Sequence, residues 1–471
     1  MPPSIAATIC TVGILGLFWL DRDPKARTSI ALWIPMVWLG LACSRPAATW
    51  LGIAEMDSAE QVMEGSPFDR LVYTALLLVA ILVVISRNQR VMKILKANWP
   101  IILFFLYCAV SIVWSDYPGV AFKRWFKALG DLTIILIVLS ESDAVAAIKR
   151  FLARPAYVLI PLSILFIKYY PQLGTLYGPW GGPRMNTGVT MNKNSLGAIC
   201  LCFGLAALWR FLAAFDDRKA EERSRVLLAQ GVILSMIIWL LYKSNSMTST
   251  SCFLMASILM LVTRLKFIKQ KPAIVHFVIV AMVAASASVL FLGASPDALA
   301  TMGRDPTVTG RTEVWGWLFS LVQNPLVGAG FESYWLGPRL EKLWSIYWWH
   351  PNEAHNGYIE VYLNLGWIGI MLLAVVLVTA YRKIGAAYRN NLLLANLALA
   401  YFLVGLTYNF TEAAFFRMLA PTWIFFLFAV VSTPTILGEE LRPAVLSKID
   451  RGGGHRKQIS VRPTLPMREL R

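Results

Sequence analysis

Apolar runs, set apart by short polar or basic connectors, constrain this chain more than any motif in it. They fall at 5–20, 28–43, 68–85, 99–114, 128–140, 151–170, 195–213, 226–242, 251–263, 273–292, 358–380, 392–409 and 415–433. Several are shorter than the ~20 residues that span a bilayer untilted. Composition excludes an ordinary soluble domain: 57% of the 471 residues are hydrophobic and 15% charged, mean hydropathy is +0.58, and 18 residues are Trp. The expected fold is all-α, a polytopic membrane helix bundle of about 11–13 transmembrane helices.

Lys and Arg collect in four connectors, which short-loop charge bias assigns to one cytoplasmic side. These hold Arg22, Lys25 and Arg27; Arg87, Arg90, Lys93 and Lys96; Arg264, Lys266, Lys269 and Lys271; and Arg382, Lys383 and Arg389. The bundle is expected over 1–437. Residues 438–471, with Arg451, His455, Arg456 and Lys457, read as a basic, disordered cytoplasmic tail that meets anionic headgroups. That accounts for the net charge of +17 without a nucleic-acid partner. Segments 44–67, 171–194, 243–250 and the long loop 293–357 then face the other side. The first run lacks a basic n-region and a small-residue cleavage site, so it reads as a retained span, and an odd span count places the N-terminus outside. All six Cys lie in or beside apolar runs with no CxxC, which points to buried small hydrophobes rather than disulfides or metal ligands.

Polar groups at membrane depth are costly and mark sites by default. Arg184–Gly197, RMNTGVTMNKNSLG, brings Arg184, Lys193 and Asn194 to the start of an apolar run, either as an anion site or as a helix start capped by Asn194 or Ser195. Lys243–Ser251, KSNSMTSTS, offers hydroxyls that suit sugar or phosphate oxygens and equally suit helix ends. In the long loop, Arg311 opens a helical pattern over 311–322, and an Arg at a helix start gains nothing from the macrodipole, so a bound anion explains it better. Then come His350, Glu353, His355, Asn356 and Glu360 at the head of the 358–380 run. His355 is placed to move a proton near neutral pH. A His350–His355 metal pair is disfavoured, because the i, i+5 spacing across Pro351 does not put both rings on one helix face. The intervening Trp and Tyr residues suit sugar stacking, but an interfacial belt is the commoner role.

With these residues the chain resembles the O-antigen ligase and O-antigen polymerase superfamily, and within it the exopolysaccharide polymerisation proteins. The resemblance rests on GVTMNKNSLG (188–197), SNSMTSTS (244–251), TGRTEVW with NPLVGAGF (309–331), HNGYIEVYLNLGWIG (355–369) and, more weakly, NFTEAAF (409–415), and covers roughly 70–435. It implies a C-type glycosyltransferase bundle in the bacterial inner membrane, multi-pass, with a large extracytoplasmic loop. Such an enzyme takes a glycan from a polyprenyl-diphosphate-linked oligosaccharide to a glycan acceptor, with no cofactor and no metal. Membrane lipids, a chain-length regulator and other polysaccharide export proteins are the implied partners. By the same resemblance Arg184 and Arg311 clamp the diphosphate, Lys193 and Asn194 assist, and His355 is the base, with Glu353, Asn356 or Glu360 in support. The exopolysaccharide branch often has His where this chain has Asn192, so no catalytic duty is carried to that position.

The residues themselves agree with those roles. Displacement at an anomeric carbon builds positive charge on the sugar and negative charge on the departing diphosphate. Two Arg groups can answer that charge without a divalent cation. Polymerase is the leading reading; ligase, with lipid A core or another terminal acceptor, uses the same donor chemistry. A lipid-linked sugar transporter is the alternative from another class, against which stand the absence of an internal repeat and the gathering of polar residues at one face.

Overall fold

A computed structural model describes residues 1–24, 26–53, 66–177, 184–217, 222–291, 308–347, 349–390 and 394–432. The 438–471 tail and the first part of the long loop, 293–307, lie outside the described residues. In chain order the described helices of ten residues or more are α1 Pro3–Leu20, α2 Trp33–Ala42, α3 Pro67–Ser86, α4 Asn88–Ala97, α5 Trp99–Val110, α6 Pro118–Leu139, α7 Ala144–Tyr169, α8 Lys193–Asp216, α9 Arg223–Ser244, α10 Met247–Val262, α11 Pro272–Phe291, α12 Val308–Ser320, α13 Gly337–Ile346, α14 Gly357–Arg389, α15 Ala395–Tyr408 and α16 Pro421–Ser432. Between α7 and α8 runs a small antiparallel hairpin, β1 Thr175–Tyr177 against β2 Arg184–Asn186, with Thr175 opposite Asn186.

Every apolar run of the sequence overlaps one of these helices, and the protein is a polytopic, all-α membrane bundle. Among the described residues six helices, α1, α3, α7, α8, α9 and α14, are long and apolar enough to cross a membrane. Five shorter apolar helices accompany them. The helix pair Asn88–Ala97 and Trp99–Trp114 bends by 91°, so the basic α4 lies across the end of the bundle while α5 enters it. Helices close on one another where glycine removes a side chain: a Cβ on Gly204 of α8 would sit 2.7 Å from the Phe253 ring of α10, and one on Gly405 would strike Phe426.

Polar contacts sort the bundle into two ends. At one, Arg87 pairs with Glu141 at 2.7 Å, Arg210 with Asp21 at 2.6 Å, Lys383 reaches Asn98 Oδ1 at 3.1 Å, and Tyr388 donates to the Thr263 carbonyl at 2.7 Å. The basic connectors around 22, 87–96, 264–271 and 382–389 thus gather at one end, as their common charge predicts. Glu141 also accepts from the Ser29 amide and hydroxyl at 2.8 and 2.7 Å. Burial alone would push its carboxyl up, but these hydrogen bonds and Arg87 outweigh it and hold the group below the ordinary carboxylate range. A depressed carboxyl stabilises the fold above the unfolded-state value of about 4.3 and stops doing so as pH falls through the folded value. Glu141→Gln is therefore expected to lower Tm in detergent at pH 7, with the gap from wild type closing as the pH drops below the ordinary carboxylate value and through the lower folded one; a gap that does not change with pH would contradict this linkage.

Candidate active site

The other end is built around a break in α14. Thirty-three residues of straight helix would run about 50 Å, well beyond the ~30 Å hydrocarbon core. At Gly366 the backbone turns to φ 64°, ψ −163°, a conformation essentially restricted to glycine. The NPLVGAG turn fits into that break. Ala329 and Gly330 donate to the carbonyls of Leu363 and Asn364 at 3.0 and 2.8 Å, while Trp367 and Ile368 donate to Pro325 and Leu326 at 3.0 and 3.1 Å. Tyr107 of α5 donates to the Leu365 carbonyl at 3.0 Å. Backbone groups freed by the break are thus re-satisfied inside protein, the condition for irregular backbone at membrane depth. Two motifs that looked separate in the sequence, NPLVGAGF and NLGWIG, are the two halves of one interlock.

Upstream of the break stands His355. Its backbone is left-handed, φ 48°. Among the described residues the other non-glycine positions with positive φ are Asn245, Glu332, His350, Phe416 and Leu419, all in connectors at this end. Such conformations cost of order 1–3 kcal/mol each and persist where surrounding structure enforces them. Here the enforcement is visible. Asn356 caps α14 by accepting from the amides of Tyr358 and Ile359 at 3.0 and 3.1 Å and donates to the Phe410 carbonyl at 3.2 Å. Gly357 donates its amide to the Asn409 carbonyl at 2.9 Å, and a Cβ there would collide with the Asn409 side chain. HNG is therefore a hinge clamped to the 409–417 connector.

That connector supplies two groups that sequence reasoning did not single out, Glu412 and Arg417. His355 Nδ1 lies 3.1 Å from Glu353 Oε1 and 3.5 Å from Glu412 Oε2. The imidazole is 41% exposed, the carboxylates 17% and 14%. Arg417 pairs with the second oxygen of Glu353. Asn194 Nδ2 donates to Glu412 Oε1 at 3.4 Å, which brings the first turn of α8 to the same cluster. With the proton on Nδ1, held by two carboxylates, Nε2 is the nitrogen left free to act as a base. Glu353, His355 and Glu412 also offer one ligand atom each within 4.8 Å of one another, an arrangement that suits either a divalent cation or an oriented imidazole. The Arg417 guanidinium on Glu353 already places a positive charge there.

The remaining sequence-predicted residues divide. Glu353 and Asn194 join His355 as described, and Lys193 opens α8 beside Asn194. The helix cap is neither Asn194 nor Ser195 but Asn192, whose Oδ1 accepts from the Ser195 amide at 2.8 Å. Glu360 makes its hydrogen bonds elsewhere than on His355, accepting from Trp335 Nε1 at 2.9 Å and from the Ala354 amide, and so holds the loop rather than the ring. Arg184 is exposed on β2 and donates to the Ile167 carbonyl at 3.4 Å. The Arg311 side chain lies outside what is described. Its backbone is in the first turn of α12, which begins at Val308, three residues earlier than the pattern predicts. Position 311 is one helical turn before Trp315, whose indole donates to the Ala354 carbonyl at 2.9 Å, next to His355.

The loop indoles are struts more than a belt. Trp315 and Trp344 donate to loop carbonyls, Trp344 to that of Pro351 at 3.0 Å, Trp335 donates to Glu360 in the first turn of α14, and His350 stacks on Trp344 with centroids 4.7 Å apart. Beside them a cleft of about 210 Å³ opens between Trp114, Tyr334 and the Asp116–Arg339 ion pair. All six Cys are unpaired and five are buried.

This geometry sits within a recognisable stretch of sequence. Residues 193–374 match the O-antigen ligase family. The chain is also 28% identical over 293 residues to ExoQ, an exopolysaccharide production protein of Rhizobium meliloti (strain 1021), an alignment that covers 60% of this chain and 64% of that one. The chain therefore spans just under two thirds of that relative's length. The likeness expected from the motifs, to the O-antigen ligase and polymerase superfamily and to its exopolysaccharide branch, is thus shown. The O-antigen ligase match runs from the first residue of α8 into α14 and contains Asn194, Arg311, Glu353, His355 and Glu360. Arg184 precedes it, and Glu412 and Arg417 follow it, so the cluster around His355 is completed from outside the matched stretch.

Proposed function

We propose that this protein polymerises polysaccharide repeat units, by metal-independent glycosyl transfer from a polyprenyl-diphosphate-linked oligosaccharide at the non-cytoplasmic face of a bacterial inner membrane. The observation that carries this reading is His355 between Glu353 and Glu412, at the end of the bundle opposite the basic connectors. In the reaction the acceptor hydroxyl attacks the anomeric carbon, its proton passes to His355 Nε2, and the bond to the diphosphate oxygen breaks. Glu353 and Glu412 keep Nδ1 as a donor and stabilise the imidazolium that forms, as the carboxylate does in other His–carboxylate pairs. Arg184, Arg311, Lys193 and Asn194 are assigned to the departing diphosphate, where guanidinium groups meet phosphate oxygens bidentately.

Ligase is the second reading, favoured by the description of the matched family. It differs only in acceptor. Purified protein in proteoliposomes, given lipid-linked repeat units alone, separates the two: a polymerase lengthens them on the carrier, and a ligase leaves them unchanged until its own acceptor is added. The same assay tests the metal question. Transfer is expected to continue in EDTA at its full rate, since Arg groups carry the charge. Loss on chelation with recovery on adding Mg²⁺ or Mn²⁺ would instead make Glu353, His355 and Glu412 a cation site.

A further inference from the structure

Away from His355, on the flank formed by the ends of α7 and α9 and by β2, two lysines flank one indole, with Arg184 beside them. Lys168 Nζ stands 4.9 Å from the Trp239 ring centroid and Lys243 Nζ 5.8 Å from the same centroid; Lys243 is also 5.3 Å from the Tyr242 ring. Arg184 reaches the carbonyl of Ile167, next to Lys168, and Asn186 Nδ2 donates to the Lys243 carbonyl at 2.9 Å, which fastens β2 between the two helix ends. None of the three cations is ion-paired with a carboxylate among the described residues. Like charges crowded on one ring repel, and an exposed cation–π contact is worth only about 0.5–1 kcal/mol. The arrangement asks for an anion. Its level does too: Lys168, Trp239 and Tyr242 end apolar helices, where indoles, phenols and lipid phosphates meet. Charge bias would keep this end of the bundle poor in Lys and Arg, so cations here need a ligand to explain them.

We propose that Lys168 and Lys243 beside Trp239 form a lateral capture seat for the diphosphate of the polyprenyl-linked donor, which holds the head as the lipid arrives and passes it to Arg184 and the groups around His355. This rests on the functional reading above and adds two lysines and an indole to it. A chain of contacts links seat to base. The hydroxyl-rich connector after Lys243 packs Ser246 against Gly197, where a Cβ would lie 2.6 Å from the serine, and Thr248 meets Thr411 at 3.1 Å, one residue before Glu412. The polyprenyl chain can stay in lipid while the head moves along this connector.

The test uses full-length protein in phosphatidylcholine nanodiscs, titrated with undecaprenyl diphosphate and separately with phosphatidylglycerol, with binding read by native mass spectrometry. For the Lys168→Gln/Lys243→Gln double variant, the diphosphate lipid is expected to bind at least about tenfold more weakly, the loss of one charge-assisted contact. Phosphatidylglycerol binding should be unchanged, Tm should be unchanged, and KM should rise with little change in kcat. Unaltered diphosphate affinity overturns the seat, and an equal loss for both lipids reduces it to a general anionic-lipid patch and overturns it too. Wild-type protein that ignores the diphosphate lipid sinks the seat together with the donor assignment, whereas binding that survives in the double variant sinks the seat alone.

Discussion

His355→Asn is expected to lower glycosyl transfer by roughly 100 to 10,000-fold, the usual worth of a positioned general base, while leaving donor binding and Tm close to wild type. Asparagine is the informative replacement because it tolerates the left-handed backbone at φ 48° and can still donate to Glu353 or Glu412, yet has no basic nitrogen. Alanine would add backbone strain to the chemical loss and blur the two. Glu412→Gln should cost less, about 10–100-fold, since it removes the orienting charge and keeps a hydrogen bond to the ring. In the double variant the losses should not add, because both changes disable one unit. The rate after single-turnover mixing, with thermal unfolding in parallel, reads all three. If His355→Asn retains transfer within a few-fold of wild type, His355 is not the base.

Gly366→Ala should prevent the fold from forming at this end. At φ 64°, ψ −163° any side chain is strained, and the new Cβ would run into the Leu326 backbone carbonyl, which cannot move without losing the Trp367 and Ile368 hydrogen bonds. Gly328→Ala strikes the same interlock from its other half, with φ 68° and a Cβ 2.5 Å from the Asn364 carbonyl carbon. A loss of ~3 kcal/mol or more is expected for each, seen as a collapse in monodisperse protein on size exclusion and in Tm. Gly13→Ala is the internal standard: nothing lies within 4 Å of its Cβ and it sits in a regular helix, so it should be neutral or slightly stabilising. A Gly366→Ala protein as stable as Gly13→Ala would show that the break in α14 is not built as described.

The parts of this structure that are local in sequence were legible there. Each apolar run marks a helix because a membrane demands internal backbone hydrogen bonding along the run itself. Asn356, expected to support the base, is instead the cap of α14. What escaped is tertiary. Glu412 is 57 residues from His355 in the chain, and contacts such as Gly357–Asn409 and Asn356–Phe410 bring them together. A carboxylate and an Arg at the head of an apolar run, as in NFTEAAFFR, were the available signal, though nothing local ties them to a His. The break at Gly366 hides inside a continuous apolar run, because its cause is the NPLVGAG turn some forty residues earlier. Asn192 was passed over as cap for its neighbours Asn194 and Ser195, a difference of register that composition does not decide. The loop tryptophans read as a lipid belt since their amphipathic shape suits both roles; the acceptors Ala354, Glu360 and Pro351, which make them struts, come from across the loop and from the first turn of α14.

The central claim is that the His355 cluster lengthens glycans on a lipid carrier. Its most direct test is the length distribution of lipid-linked and surface glycan in a deletion strain complemented with wild type, His355→Asn or Glu412→Gln. Long chains are expected with wild type, single repeat units on the carrier with His355→Asn, and a shortened distribution with Glu412→Gln. Long chains that persist on the carrier in the deletion strain but fail to reach a final acceptor would contradict it and make the protein a ligase.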